Sequence, residues 1–243
     1  MFTVQWFRLG GRRCSLLNMV LIIIRQVQGE VMSINLHLLN AQGKLSKLEN
    51  RITFEFKTSV NRITSLLPIK DIDVVISASA EVIPETGLGG FCPEDGLIYL
   101  KIDPNNSNLL DRFSEEFMAT LGHEMHHCMR WKTVGYGSTL EEALITEGLA
   151  CSFETELRTS GTPFYATALD ERELRELWSK AKSELSSKSY DHVAWFFGSY
   201  ARRIPKHAGY SLGFHIVEKY IKRTNIPSSR LTDVLASHVM SEG

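Results

Sequence analysis

The five residues His123-Glu124-Met125-His126-His127 lie in a stretch whose apolar residues fix its conformation. Phe113, Phe117, Leu121 and Met125 recur every four positions, the period of one face of an α-helix. On that helix His123 and His127 stand one turn apart, about 200° around from the apolar stripe, on the side of Glu116 and Thr120. One face is built to pack and the opposite face to coordinate. Glu124 projects about 100° from His123, beside an ion held by the two imidazoles and not onto it.

Two imidazoles hold a metal weakly, and catalytic zinc sites usually carry three protein ligands plus water. A second helix is expected from Thr139 to about Leu157, opened by a capping box formed by Ser138 and Glu141. Its apolar stripe is Leu140, Ala143, Leu144, Ala150, Cys151 and Leu157, and Glu147 sits within it. A carboxylate aimed at a core must be paired or bound to metal, because burying it bare costs several kcal/mol. Glu147 is therefore the expected third ligand. Residues 128–146 are long enough to end the first helix, turn through Gly135 and Gly137, and return antiparallel. Glu154, two turns later, is the alternative ligand, and a structural ion pair is the alternative role for Glu147. Cys151, one turn from Glu147, is expected to line the space under the metal, and Cys128 to be core. His126 is placed off the metal face, as a supporting or surface residue.

His123-Glu-Met-His-His127 followed by Glu147-Gly-Leu-Ala150 resembles the gluzincin arrangement, in which a Glu on a second helix completes an H-E-x-x-H site. The run Thr139 to Ala150 and the later Gly209-Tyr-Ser-Leu-Gly213 resemble the bacterial family described as predicted zinc-dependent proteases, a domain of unknown function. The likeness is dense from Phe117 to Leu157 and absent from the first thirty residues. It implies an α+β, zincin-like metallopeptidase: a small N-terminal sheet, two metal-binding helices at a junction and a helical C-terminal lobe. It implies Zn2+ as the cofactor, bound by His123, His127 and Glu147, with Glu124 as general base and a peptide or protein as substrate. An oxyanion donor from the far wall of the cleft is also expected. Tyr210, His207 and His215 are the candidates, and Tyr210 fits the family's Gly-Tyr pattern. The alternatives are an amide or ester hydrolase acting on non-peptide substrates, and a non-catalytic module braced by metal.

Composition narrows the partners. With 243 residues, 43% hydrophobic, 23% charged and a formal net charge of −1, the chain has no general attraction for nucleic acid or for an acidic membrane surface. Neither is expected as a partner. Cys14, Cys92, Cys128 and Cys151 form no C-x-x-C pair, which fits a reducing, cytoplasmic setting. Residues 1–31 read as an N-terminal extension, disordered or arising from an upstream start, ahead of a catalytic domain over 32–243. The apolar run Met19 to Ile24 is too short to cross a bilayer.

Elsewhere the apolar spacing predicts a helix over Lys44–Leu67 and a strand over Asp71–Ala80 buried on both faces. Gly87 to Gly90 leads into a turn, Phe91 to Gly96, and a second strand follows over Leu97–Ile102. Gly89 and Gly90 either let a substrate backbone approach an exposed sheet edge or merely shape a loop. Helices are expected over Asp170–Leu185, Tyr190–Tyr200, His207–Arg223 and Ser229–Met240. Trp195, Phe196 and Phe197 are expected in the core.

Overall fold

A computed structural model describes residues 33–242. The expected N-terminal extension lies outside the described residues. The chain is α+β. Four strands, β1 (Ile34–Leu39), β2 (Ile72–Ala78), β3 (Leu88–Glu94) and β4 (Leu97–Ile102), form a sheet in the order β1-β2-β4-β3. β1, β2 and β4 are parallel, and β3 turns back antiparallel on β4 as an edge strand.

Two of these strands have no counterpart in the sequence reading. β1 is a short edge with alternating half-burial. The glycines and proline that punctuate β3 give it the signature of a loop and turn. Pro93 is tolerated because the strand is an edge and its register breaks between Phe91 and Glu94. The expected two-sided burial of β2 is also corrected. Ile72, Val74 and Ile76 are buried, whereas Asp73 is exposed and bonds His37 at 2.7 Å on the open face. Helices cover one side of this sheet, so its strands alternate.

Helix α1 (Glu49–Thr64) buries Ile52, Phe56 and Ile63, with Leu45 and Leu67 of the flanking turns beside them. α2 (Phe113–Thr133) carries the H-E-x-x-H residues, and Phe113, Phe117, Leu121 and Met125 are all fully buried. α3 (Leu140–Leu157) is buried nearly all round. Its capping box is one residue later than expected. Thr139, extended at φ −111° and ψ 162°, is the cap, and Glu142 accepts from the backbone N–H of Ser138 and Thr139 at 2.8 and 3.0 Å.

The rest is helical: α4 (Glu171–Ala181), α5 (His192–Phe197), α6 (Ala208–Thr224) and α7 (Ala236–Glu242). The last begins seven residues after its expected start, because a 3-10 turn at Ser228–Arg230 and an irregular stretch intervene. Trp195 and Phe196 are core, but the expected burial of Phe197 is corrected: it is 60% exposed, because α5 ends there.

Two hydrophobic cores flank the junction. One joins the sheet, α1 and α2 with Phe153 and Leu157 of α3. The other joins α4, α5 and α6 with Leu140, Leu144 and Leu149 of α3. α3 thus gives its last turns to the first core and its first turns to the second. Its crossing with α6 is close because both contact residues are glycine. A Cβ on Gly213 would lie 2.9 Å from the Leu144 carbonyl carbon, and one on Gly148 would lie 2.9 Å from the Phe214 nitrogen. Among the described residues no helix is long and apolar enough to cross a membrane.

Candidate metal centre

α2 and α3 lie against each other with Gly122 facing Leu157 and Phe153, where a larger residue would not fit. That contact sets Glu147 opposite the two histidines. Glu147 Oε2 is 3.1 Å from His123 Nε2, and its Oε1 is 3.5 Å from His127 Nε2. One ligand atom from each of the three residues fits within 4.8 Å of the others. All three are buried, at 8%, 5% and 5% exposure. Two imidazoles and one carboxylate converging in a buried site are the donor set zinc takes. The residues present fit the ion.

Burial pushes the Glu147 carboxyl up, but the two imidazoles outweigh it and hold the group well below the usual carboxylate range. Burial likewise pushes His123 down. Its hydrogen bonds to Glu147 and Glu154 prevail and hold it well above the ordinary imidazole value. The Glu147 charge thus has close partners, as burial requires.

Glu154 stands behind His123, not beside Glu147. Its Oε1 is 2.7 Å from His123 Nδ1, and it also accepts a hydrogen bond from the Tyr165 hydroxyl. Arg158 reaches its other oxygen at 3.1 Å and pairs in bidentate fashion with Glu116 at 2.7 Å. A carboxylate on the far nitrogen of a ligating histidine fixes the ring and leaves Nε2 free for the ion. Cys151 is buried near this carboxylate and completes a second potential donor group with His123 and Glu154. His126 is fully buried, so the surface alternative is corrected. Its Nε2 is 3.2 Å from the Ser228 carbonyl, anchoring the C-terminal segment to α2.

Glu124 is 6% exposed, and burial raises its pKa. It faces β3 at Gly90, where a Cβ would lie 2.6 Å from Glu124 Cγ and 2.8 Å from Cδ. The role of Gly90 is thus to admit the Glu124 carboxylate, and the loop-shaping alternative falls away because Gly90 lies within a strand. β3 is also fastened to α2: the Trp131 indole Nε1 donates to the Cys92 carbonyl at 3.2 Å. The buried Cys92 and Cys128 thiols meet with their sulfurs 2.9 Å apart.

Two cavities open beside the ligand cluster. One, of about 450 Å³, is lined by Val82, Thr120, Tyr165, Lys206, His207 and Tyr210 among others. The other, of about 390 Å³, is lined by Trp131, Tyr136, His192 and Phe197. His123, Glu124, Gly90, Phe197 and Tyr210 border both. Tyr210 therefore stands on the wall facing the cluster, and burial followed by the charges of Glu147, Cys151 and Glu124 holds its hydroxyl well above the usual phenol range. His207 lines only the first cavity. His215 is not brought to the site: it lies in a separate groove with Glu171, Arg175 and Trp178.

Sequence reasoning missed Tyr136, whose hydroxyl donates to Glu147 Oε1. Its ring sits 5.4 Å from that of His127. It belongs to the Gly135-Tyr-Gly137 turn, where both glycines have positive φ, 79° and 103°. The signal available was a lone aromatic between two turn glycines, which points to a bend and not to a partner.

Among curated proteins, the chain is similar to the uncharacterized protein YjfC of Bacillus subtilis, 27% identical over 171 residues. The match takes in 65% of this chain and 56% of YjfC, so the chain spans just over half the length of that relative. No solved structure matches it. A family described as "Predicted Zn-dependent protease (DUF2268)" matches residues 40–241, nearly the whole of the described chain, and this protein belongs to that family.

Proposed function

We propose that the chain is a zinc-dependent peptidase with a zincin-like fold of the gluzincin kind. The observation that carries this reading is one geometry: His123, His127 and Glu147 with ligand atoms within 4.8 Å, and a buried Glu124 between them and an open sheet edge. His123, His127 and Glu147 would hold the ion. When bound, zinc would supply Lewis-acid polarisation of the scissile carbonyl and lower the pKa of water to about 7.

The chain's own residues do the rest. Glu124 takes the proton of the attacking water and returns it to the departing amine. Tyr210 donates its hydroxyl hydrogen bond to the oxyanion that develops on the carbonyl oxygen. Glu154 keeps the His123 ring oriented. Past Leu88, which bridges to Ile83, no strand among the described residues covers the outer side of β3. An extended peptide would add there through main-chain hydrogen bonds.

A metal-braced binding module has no use for a buried carboxylate aimed at the gap between the ligands and an open edge. Glu124→Gln tests the assignment, with zinc content measured by mass spectrometry and cleavage followed on a mixed peptide library. The expected result is unchanged zinc and a fall in turnover of roughly 10²-fold or more. A variant that cleaves as fast as wild type, or wild-type protein that takes up no zinc, overturns the reading.

A further inference from the structure

Trp131 follows His127 by four residues, so α2 places it on the same face as His123 and His127. Its indole is pinned through Nε1 to the Cys92 carbonyl, yet the residue remains 40% exposed. Tyr136 stacks on it, with ring centroids 6.3 Å apart and planes 29° from parallel. The opposite wall is α5. There His192 is stacked on the buried Phe196 at 4.5 Å, and Phe197 is 60% exposed at the rim. Trp131, Tyr136, His192 and Phe197, with Phe91 and Tyr210, thus surround a recess of about 390 Å³ that opens onto the ligand cluster.

Exposed aromatic surface next to a reactive site marks where something apolar is received. The recess has no Lys or Arg on its walls, and its two acids are Glu124 and Glu147, which belong to the cluster. An anionic side chain would lose water there and meet two carboxylates with no Lys or Arg to pair it. The neighbouring cavity differs, with Glu81 and Lys206 at its mouth.

Strand direction tells which side of the scissile bond the recess serves. β3 runs from Gly89 beside the first cavity to Pro93 beside the aromatic one. Antiparallel pairing is the more stable ladder, and a peptide added that way runs in the opposite sense. Its N-terminal half lies by Trp131 and its C-terminal half by Thr120. We propose that the recess between Trp131 and Phe197 binds a bulky apolar side chain, aromatic by preference, on the residue immediately before the cleaved bond. The proposal rests on the peptidase reading and adds its substrate class.

Two measurements test it. In the first, the zinc-loaded full chain is incubated with an equimolar mixture of diverse synthetic peptides, and cleavage sites are mapped by mass spectrometry against a Glu124→Gln background. Phe, Tyr, Trp and Leu should be enriched before the cut by roughly 10–200-fold over Ala, the range an apolar pocket can give. Trp131→Ala should flatten that preference at unchanged zinc content. Phe197→Ala, at an exposed position that cannot disturb folding through lost core packing, should do the same. Glu124-dependent cleavage with no such enrichment, or with enrichment after the cut, overturns the proposal and leaves the peptidase standing.

The second measurement needs no turnover. Calorimetry on the zinc-loaded Glu124→Gln protein compares two peptides that differ by Phe or Ala at one position. Tighter binding of the Phe peptide by about tenfold, lost in the Phe197→Ala double variant, supports the recess. Equal affinities overturn it. Absence of cleavage by wild type together with equal affinities removes both this proposal and the peptidase reading.

Discussion

Gly90→Ala is the sharpest probe of the site, because it adds one methyl group and touches one functional residue. The new Cβ would sit 2.6 Å from Glu124 Cγ and 2.8 Å from Cδ, whereas carbon atoms in contact settle at about 3.5–4.0 Å. The overlap is roughly 1 Å, so either the edge of β3 or the Glu124 side chain must move. The side chain moves more easily, since leaving its rotamer costs about 0.5–1.5 kcal/mol and shifting a strand tied to α2 through Trp131 costs more. Folding should therefore survive, with a loss of about 1 kcal/mol in urea denaturation. The ligands do not touch Gly90, so zinc stoichiometry should remain one per chain. Turnover is where the damage should appear: a 1 Å misplacement of a reacting group costs about 10²-fold, or roughly 2.7 kcal/mol in the barrier. Chelator-sensitive cleavage of a mixed peptide library, paired with elemental analysis, reads both quantities. Full zinc with wild-type turnover would refute the argument that Glu124 works from the position Gly90 leaves open for it.

Other perturbations test the surrounding structure. Glu154→Gln removes the carboxylate behind His123, and competition with a chelator should show zinc affinity reduced by about 10–100-fold, with the fold intact by circular dichroism. Gly213→Ala forces apart the backbones of α6 and α3, which no rotamer change can relieve, and should lower stability by about 1–3 kcal/mol or more in urea. Acid should expose Glu115. Burial pushes its carboxyl up, but hydrogen bonds from Ser160 and Thr159 bring it down to about 2 from an ordinary 4.5. Because the folded value is the lower one, this stabilisation is complete above about pH 4.5 and is lost as pH falls toward 2. Partial solvent exposure limits it to about 1–2 kcal/mol, and the urea midpoints of wild type and Glu115→Gln should differ at pH 6 and converge near pH 2.

How much of this was legible in the residues follows from the range over which each interaction acts. The helical stripe Phe113 to Met125 is local, so it placed His123 and His127 on one face without any knowledge of the fold. Glu147 was legible because a lone acid in an apolar stripe demands a partner. Glu154 lies in the same stripe, and only the crossing of α2 and α3 shows that it meets Nδ1 while Glu147 meets Nε2. β3 was hidden because Gly89, Gly90 and Pro93 carry no strand propensity of their own; pairing with β4 and the contact with Glu124 make them a strand. Phe197 follows two core aromatics in sequence and looked like a third, yet α5 ends there and its ring turns outward. His215 has the chemistry of an oxyanion donor, but the helix turns it to another groove.

The double membership of α3 bears on how such a chain can change over generations. The sheet edge and the aromatic wall each hang from separate material, so their side chains can be revised one at a time and the appetite of the cleft can drift. The beam that spans both cores has no such freedom, since Gly148 meets α6 on the one side while Leu157 packs into the core with the sheet on the other. Variation among natural relatives should accordingly pile up around Phe197 and thin out along the run from Leu140 to Leu157.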